Sequence, residues 1–253
     1  TIFCGGAHIH GGVGRVAADL DSNGWPQSGR NRALREMRKA FAVHIAGDQH
    51  LGTVFHHGID EQGDAGYSFC VPSIANFYLR WWSPESPGAN RKADAPDYTG
   101  EHLDGLGNRV ICHAAANPQQ KHPLPDKALN TFAAGFGVIE FDKKNRTITF
   151  HCWPRNVDVT DPVATEYPGW PITIDQRDNF GKKPQHYLPE IVVQGASDPV
   201  VQVVKDDGEI LYTLRIRGNR FRPWVFEPGL YRVHVGEGED RQTVTYETRL
   251  HGN

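Results

Sequence analysis

Between residues 30 and 41, apolar side chains recur at Leu34, Met37 and Phe41, with Arg and Lys between them. The i, i+3, i+7 spacing lays one apolar stripe along an amphipathic helix of about three turns. Ala42-Val43-His44-Ile45-Ala46 follows as a short strand, and Gly47-Asp48-Gln49-His50 falls on the loop after it. Helix, strand and loop in that order belong to layered α/β folds, where ligands collect at the carboxyl ends of strands. Residues 67–71 and 109–113 read as further buried strands. The stretch 81–108, rich in Pro, Gly and Asp, reads as a long excursion over the surface. Val138-Ile139-Glu140-Phe141 and Thr147-Ile148-Thr149-Phe150 alternate about the polar turn 142–146, a hairpin pattern.

Residues 154–189 hold six prolines and little periodicity, as an irregular wrap would. Beyond residue 190 the pattern changes. Residues 199–204 and 210–216 flank Asp206-Asp207-Gly208, and residues 229–235 and 242–248 flank a Gly/Glu/Asp turn. Short strands separated by turn chemistry predict a small all-β sandwich. The expected division is therefore 1–189 and 190–253.

Composition narrows the function classes. Hydrophobic residues make up 38% and charged residues 23% of 253 positions, as in soluble globular chains. No apolar run approaches the roughly 18 residues that a bilayer span requires. A net charge of -3 with scattered Lys and Arg supplies no basic field for nucleic acid. Cys4, Cys70, Cys112 and Cys152 form no CxxC pair, which speaks against a zinc ribbon or thioredoxin-like motif. Their apolar neighbours favour buried free thiols, with one disulfide as the alternative. Thr1-Ile2-Phe3-Cys4-Gly5-Gly6 reads as the end of a buried strand entering a glycine turn, so a preceding N-terminal portion is expected.

Candidate chemistry concentrates early, since six of the 13 histidines lie within the first 57 residues. Asp48 and His50 carry side chains that suit iron, manganese or zinc, and Asp suits calcium. Gly47 is expected to permit the turn that brings them together. Asp19-x-Asp21-x-Asn23-Gly24 matches the opening of a calcium loop, but Arg30 stands where the twelfth-position Glu is needed, which rejects an EF-hand. A pocket loop or a plain Asx turn remains for Asp19, Asp21 and Asn23. His8 and His10 would share one side of an extended segment. His56 would fall on His50's side of a strand, and His57 on the other. Arg155 could grip an anion bidentately or stack on Trp153. Arg30 at the helix start could face an anion beside free backbone N–H groups.

The order of these motifs resembles the C-terminal half of alkaline phosphatase D-like (PhoD-type) metallophosphatases. The motifs run Asp19-Leu20-Asp21-Ser22-Asn23-Gly24-Trp25-Pro26, helix, strand, Gly47-Asp48-Gln49-His50, then Tyr67-Ser68-Phe69-Cys70-Val71-Pro72. The resemblance covers roughly residues 1–160 and is best over 19–72. It implies an α/β fold, the C-terminal half of a layered metallophosphatase sandwich, followed by the small β-sandwich. It also implies metal-dependent hydrolysis of a phosphomonoester or phosphodiester, with iron and calcium as the implied metals and an extracytoplasmic location. His50 and Asp48 would be the metal-site and catalytic residues, and Asp19, Asp21, Asn23 and Arg155 the substrate-side candidates. Further metal ligands would come from the N-terminal half, which makes that half the expected partner. The alternative is a non-catalytic fragment whose β-sandwich tail is a binding module.

Overall fold

The computed structural model describes residues 7–9, 15–17, 24–47, 50–75, 80–118 and 132–248. The chain forms two compact units, one of residues 1–35 and 43–181, the other of residues 36–42 and 182–253. The first unit thus ends at Gly181, ahead of the boundary expected at residue 189, and the second takes a segment from the early chain.

In the first unit, β1 (Ala7–Ile9) and β2 (Arg15–Ala17) form an antiparallel pair. A five-stranded sheet follows, built from β3 (His44–Ala46), β4 (Thr53–His57), β5 (Tyr67–Cys70), β6 (Gly100–Leu103) and β7 (Arg109–Ala115). Its order is β3-β5-β4-β7-β6, with β3 parallel to β5 and the other pairs antiparallel. A second sheet holds β8 (Gly135–Asp142), β9 (Thr147–Pro154) and β10 (Ile172–Asp175) in the order β10-β9-β8.

The two sheets bury one face of each against the other. Val54, Phe69 and Ala114 meet Ile148, Phe150, Cys152 and Ile174, and the rings of Phe69 and Phe150 lie 5.5 Å apart. Gly137 is required at this contact, because a Cβ there would stand 2.7 Å from the Phe69 ring. The opposite face of the five-stranded sheet carries Leu51, Phe55, Trp82, Val110, Cys112 and Ala115. Strands covered on both faces lose the apolar–polar alternation: Val54 and Phe55, adjacent on β4, are both fully buried, one in each layer.

Helix α1 (Gln27–Arg38) buries Leu34 beside Ile59 and Ala65 and also buries Arg30. It begins and ends earlier than the apolar stripe predicts. Phe41, the last member of that stripe, sits past the helix in the left-handed region with φ 53°.

The second unit contains two short antiparallel pairs. In one, β11 (His186–Tyr187) meets β16 (Trp224–Val225); in the other, β12 (Ile191–Val192) meets β15 (Arg220–Phe221). Its main sheet joins β13 (Val200–Lys205), β14 (Ile210–Arg215), β17 (Gly229–Val235) and β18 (Gln242–Thr248) in the order β14-β13-β17-β18. Val201, Val203, Tyr231 and Val233 form its buried face. Phe41 packs into this unit, 5.7 Å from Tyr212 and 6.2 Å from Trp224 between ring centroids.

The described chain is mostly strand, with α1 the one α-helix among the described residues. Two expectations need correction. The segment 81–108 is a surface excursion only over its middle, residues 83–97, most of them exposed; at its two ends Trp82 is fully buried, and Thr99, His102, Asp104 and Asn108 are buried as well. Its polar composition misleads because these groups bond within the fold. Asp104 accepts from Asn108 N–H and Nδ2, for example, at 2.8 and 3.0 Å. The wrap 154–189 likewise supplies β10, which pairs with β9 along four residues. Cys70, Cys112 and Cys152 are buried free thiols, and Cys4 lies outside the described residues. No described helix is long and apolar enough to cross a membrane.

Candidate functional site

Because β5 lies between β3 and β4, the connection 47–52 must cross the carboxyl end of β5 to reach β4. The crossing is tied at both sides. Val71 N–H donates to Ala46 O at 2.8 Å, and Ala116 N–H donates to Gly52 O at 2.8 Å. Gly52 is needed here, since a Cβ would stand 2.9 Å from Cys152 Sγ on the facing sheet. His50 sits on this crossing, half-buried, with a left-handed φ of 56°. For a residue other than glycine that conformation is uncommon and costs of order 1 kcal/mol or more. Of the described residues in this connection, His50 holds the left-handed position; Gly47 is not left-handed, and its added Cβ would meet only Val71 at an ordinary 3.8 Å. Asp48, Asp19, Asp21, Asn23 and His10 lie outside the described residues. His8 is on β1 opposite Val16, with its side chain outside the description.

Arg155 follows β9 at this same end of the paired sheets. Its backbone N–H donates to Ala134 O at 3.0 Å, while its buried Nη1 has no hydrogen-bond partner among the described residues. A buried guanidinium N–H without an acceptor is costly, by about 1–3 kcal/mol or more for a charged group. The neighbouring end of β7 is finished by Asn117, whose Oδ1 accepts Trp82 N–H at 2.9 Å and whose Nδ2 donates to Trp82 O at 3.0 Å. The carboxyl ends of β3, β5, β7 and β9 thus assemble one region, holding His50 and Arg155. Among the described residues, no three His, Cys, Asp or Glu side chains converge as a metal-binding group.

The other sequence candidates lie at the opposite end of β4. Arg30 is buried and donates to Gly58 O at 2.7 Å, Asn31 Oδ1 at 2.9 Å, His57 Nδ1 at 3.0 Å and Arg109 O at 3.2 Å. A guanidinium cannot accept, so His57 Nδ1 is the acceptor and its Nε2–H donates to Ser68 Oγ at 2.8 Å. Burial lowers the Arg30 pKa to about 10, against the opposing charges of Asp104 and Asp64. Arg30 therefore does not face an external anion; it fastens α1 to the sheet. His56 does not join His50 either. It stacks on Tyr67 with ring centroids 4.0 Å apart, and its Nε2 bonds Ala65 O at 2.8 Å. Burial, with His113 second, pushes His56 down to about 4.

Sequence reading passed over His113, Lys92 and their surroundings. Val-Ile-Cys-His-Ala reads as an ordinary buried strand, and no local signal announces the irregularity that re-aims the histidine. The chain matches no family model, no curated protein and no solved structure.

Proposed function

We propose that this chain is the C-terminal portion of a layered α/β metallophosphatase-type sandwich that hydrolyses a phosphomonoester or phosphodiester with metal ions. The observation that carries the reading is the strand-end region. A strained, half-buried histidine lies on the crossing over parallel strands, and an arginine with an unmet buried N–H closes the facing sheet. In this reading the His50 imidazole is a nitrogen ligand, and Asp48 ligates or orients a ligand. Arg155 donates to a phosphoryl oxygen, and Asp19, Asp21 and Asn23 line the substrate side.

The donor chemistry fits a hard or borderline metal such as iron, calcium, manganese or zinc only in part, because His50 is the one described donor. The remaining ligands are assigned to residues outside the described set, Asp48 among them, and to the preceding half that the resemblance implies. When bound, such ions supply a water-derived nucleophile and neutralise phosphoryl charge. This chain's own contribution is to hold His50 in place, to present Arg155 to the anion and, with Leu51 and Trp82, to keep the wall behind it apolar.

The test is metal content and aryl phosphate hydrolysis in the protein carrying its complete donor set. His50→Ala should lower both by orders of magnitude while circular dichroism stays unchanged. His50→Gln should do nearly as much, and His44→Gln serves as the control within β3. Arg155→Met should cut hydrolysis without removing metal, by about a hundredfold for one lost charge-assisted contact. Undiminished metal and turnover in His50→Ala would overturn the assignment.

A further inference from the structure

Val54 and Phe55 of β4 pair with Ala114 and Cys112 of β7, so His113 between them is an extra residue with no cross-strand partner. A bulge of this kind turns its side chain away from the ladder. The His113 imidazole lines an open cavity of about 520 Å³ with Lys92, Asp94, Pro96, Tyr98 and Gly169. Small-molecule sites run from about 300 to 1,000 Å³. Gly169, at φ 94°, lets this wall lie against β7, since an added Cβ would stand 3.2 Å from the Ala114 Cβ.

Two further rings cluster with His113. Tyr67 lies 5.3 Å away at 37° and His56 6.3 Å away at 33°, these two stacked on each other at 4.0 Å. Desolvation first, and the Lys92 ammonium second, lower the His113 pKa to about 4. The ring's open edge moderates that depression, and the imidazole is neutral at pH 7 either way. The ammonium of Lys92 and an imidazole N–H can therefore serve one acceptor group. The neighbouring hydroxyls turn their protons to the protein: Thr99 donates to Pro96 O at 2.7 Å and Tyr98 toward Ala115 O at 3.5 Å. Asp94, exposed on the same rim, is the one opposing charge in the lining.

We propose that this cavity binds a small organic anion with a flat apolar body, its anionic oxygens between Lys92 and His113 and its body against Pro96, Tyr98 and Gly169. The proposal stands apart from hydrolysis at the strand ends and does not require it.

Benzoate, benzyl alcohol and benzylammonium separate the charge from the ring in a titration followed by the His113 imidazole resonances. Benzoate should bind tightest and shift those resonances. Lys92→Ala should weaken benzoate about fivefold and Asp94→Asn should tighten it by a similar factor, each the size of one partly exposed charge interaction. Both substitutions are at exposed positions, so folding is not at stake. His50→Ala should leave benzoate affinity unchanged, so this site can fail or hold independently of the phosphoester reading. Equal binding of the three compounds, an unchanged affinity in Lys92→Ala, or shifts that bypass His113 would each overturn the proposal.

Discussion

The two ends of the five-stranded sheet use the same residue types for opposite purposes. At one end His57 and Arg30 sit inside a closed set of hydrogen bonds, with both imidazole nitrogens and the guanidinium supplied with partners. At the other end His50 occupies a left-handed backbone position, and Arg155 buries an N–H without an acceptor among the described residues. A closed network stabilises, and nothing is left over for a ligand. Strain and unmet polarity cost stability, which a fold tolerates where a ligand later supplies the missing partner. The difference separates a structural arginine–histidine pair from a candidate site more sharply than residue identity does.

That contrast can be broken most forcefully at the closed end. Arg30→Ala strips partners from His57 Nδ1 and from the carbonyls of Gly58 and Arg109. It should cost about 3 kcal/mol by the scale of broken buried networks. For a protein of this size the corresponding fall in Tm is roughly 6–12 °C, measurable by calorimetry. A Tm within a degree of the parent would show that the network is not structural.

A middle-sized effect should appear with pH. His56 titrates near 6.5 in the unfolded chain but near 4 in the fold, so between these values the unfolded state binds the extra proton. Stability is then complete above about pH 6.5 and falls as the pH drops toward 4, by about 2.5 kcal/mol from this group at about pH 4.5. His56→Phe keeps a ring against Tyr67 and should flatten that part of the profile in urea unfolding at pH 7 and pH 4.5. An unchanged slope would sink this attribution.

The smallest effects on stability belong to the open end. Arg155→Met removes a buried group with nothing to lose and should leave stability within about 1 kcal/mol, or raise it. His50→Asn, whose short side chain tolerates the left-handed region, should stay within about 0.5 kcal/mol. If either variant melts as far below the parent as Arg30→Ala does, the two ends are alike and the strand-end region loses its claim.

Much of the strand framework was readable, for local reasons. The alternation in 138–150 predicts β8 and β9 around their turn, and residues 229–235 and 242–248 coincide with β17 and β18. Those pairings join near neighbours in sequence, so pattern and turn chemistry suffice. β6 and β10 escaped because their residues are polar or proline-flanked, and burial of Thr99, His102 and Asp104 is made possible by hydrogen bonds to residues two to four positions away, which leave no periodic signal. At the site, the loop bearing His50 was visible as a motif, but the left-handed backbone at His50 was not. The closed roles of Arg30 and His57 depend on carbonyls at Gly58 and Arg109, residues distant from Arg30 along the chain. His113 was hidden for a different reason: a bulge is a property of two strands together.

The segment 36–42 has a practical meaning for anyone wishing to dissect the protein. Phe41, only 2% exposed, packs with Tyr212 and Trp224 and belongs to the second unit although it precedes most of the first in sequence. The chain therefore enters the second unit twice. A stop placed anywhere between 181 and 190 would leave this aromatic side chain without its neighbours, an apolar surface of the kind that drives association. Nor could the tail be grafted onto another protein as one contiguous cassette without leaving a hole where the Phe41 ring belongs. In modular terms the second unit is interleaved, and a gene that exchanges it must carry two stretches, one from within the sequence of the first unit and one from after it.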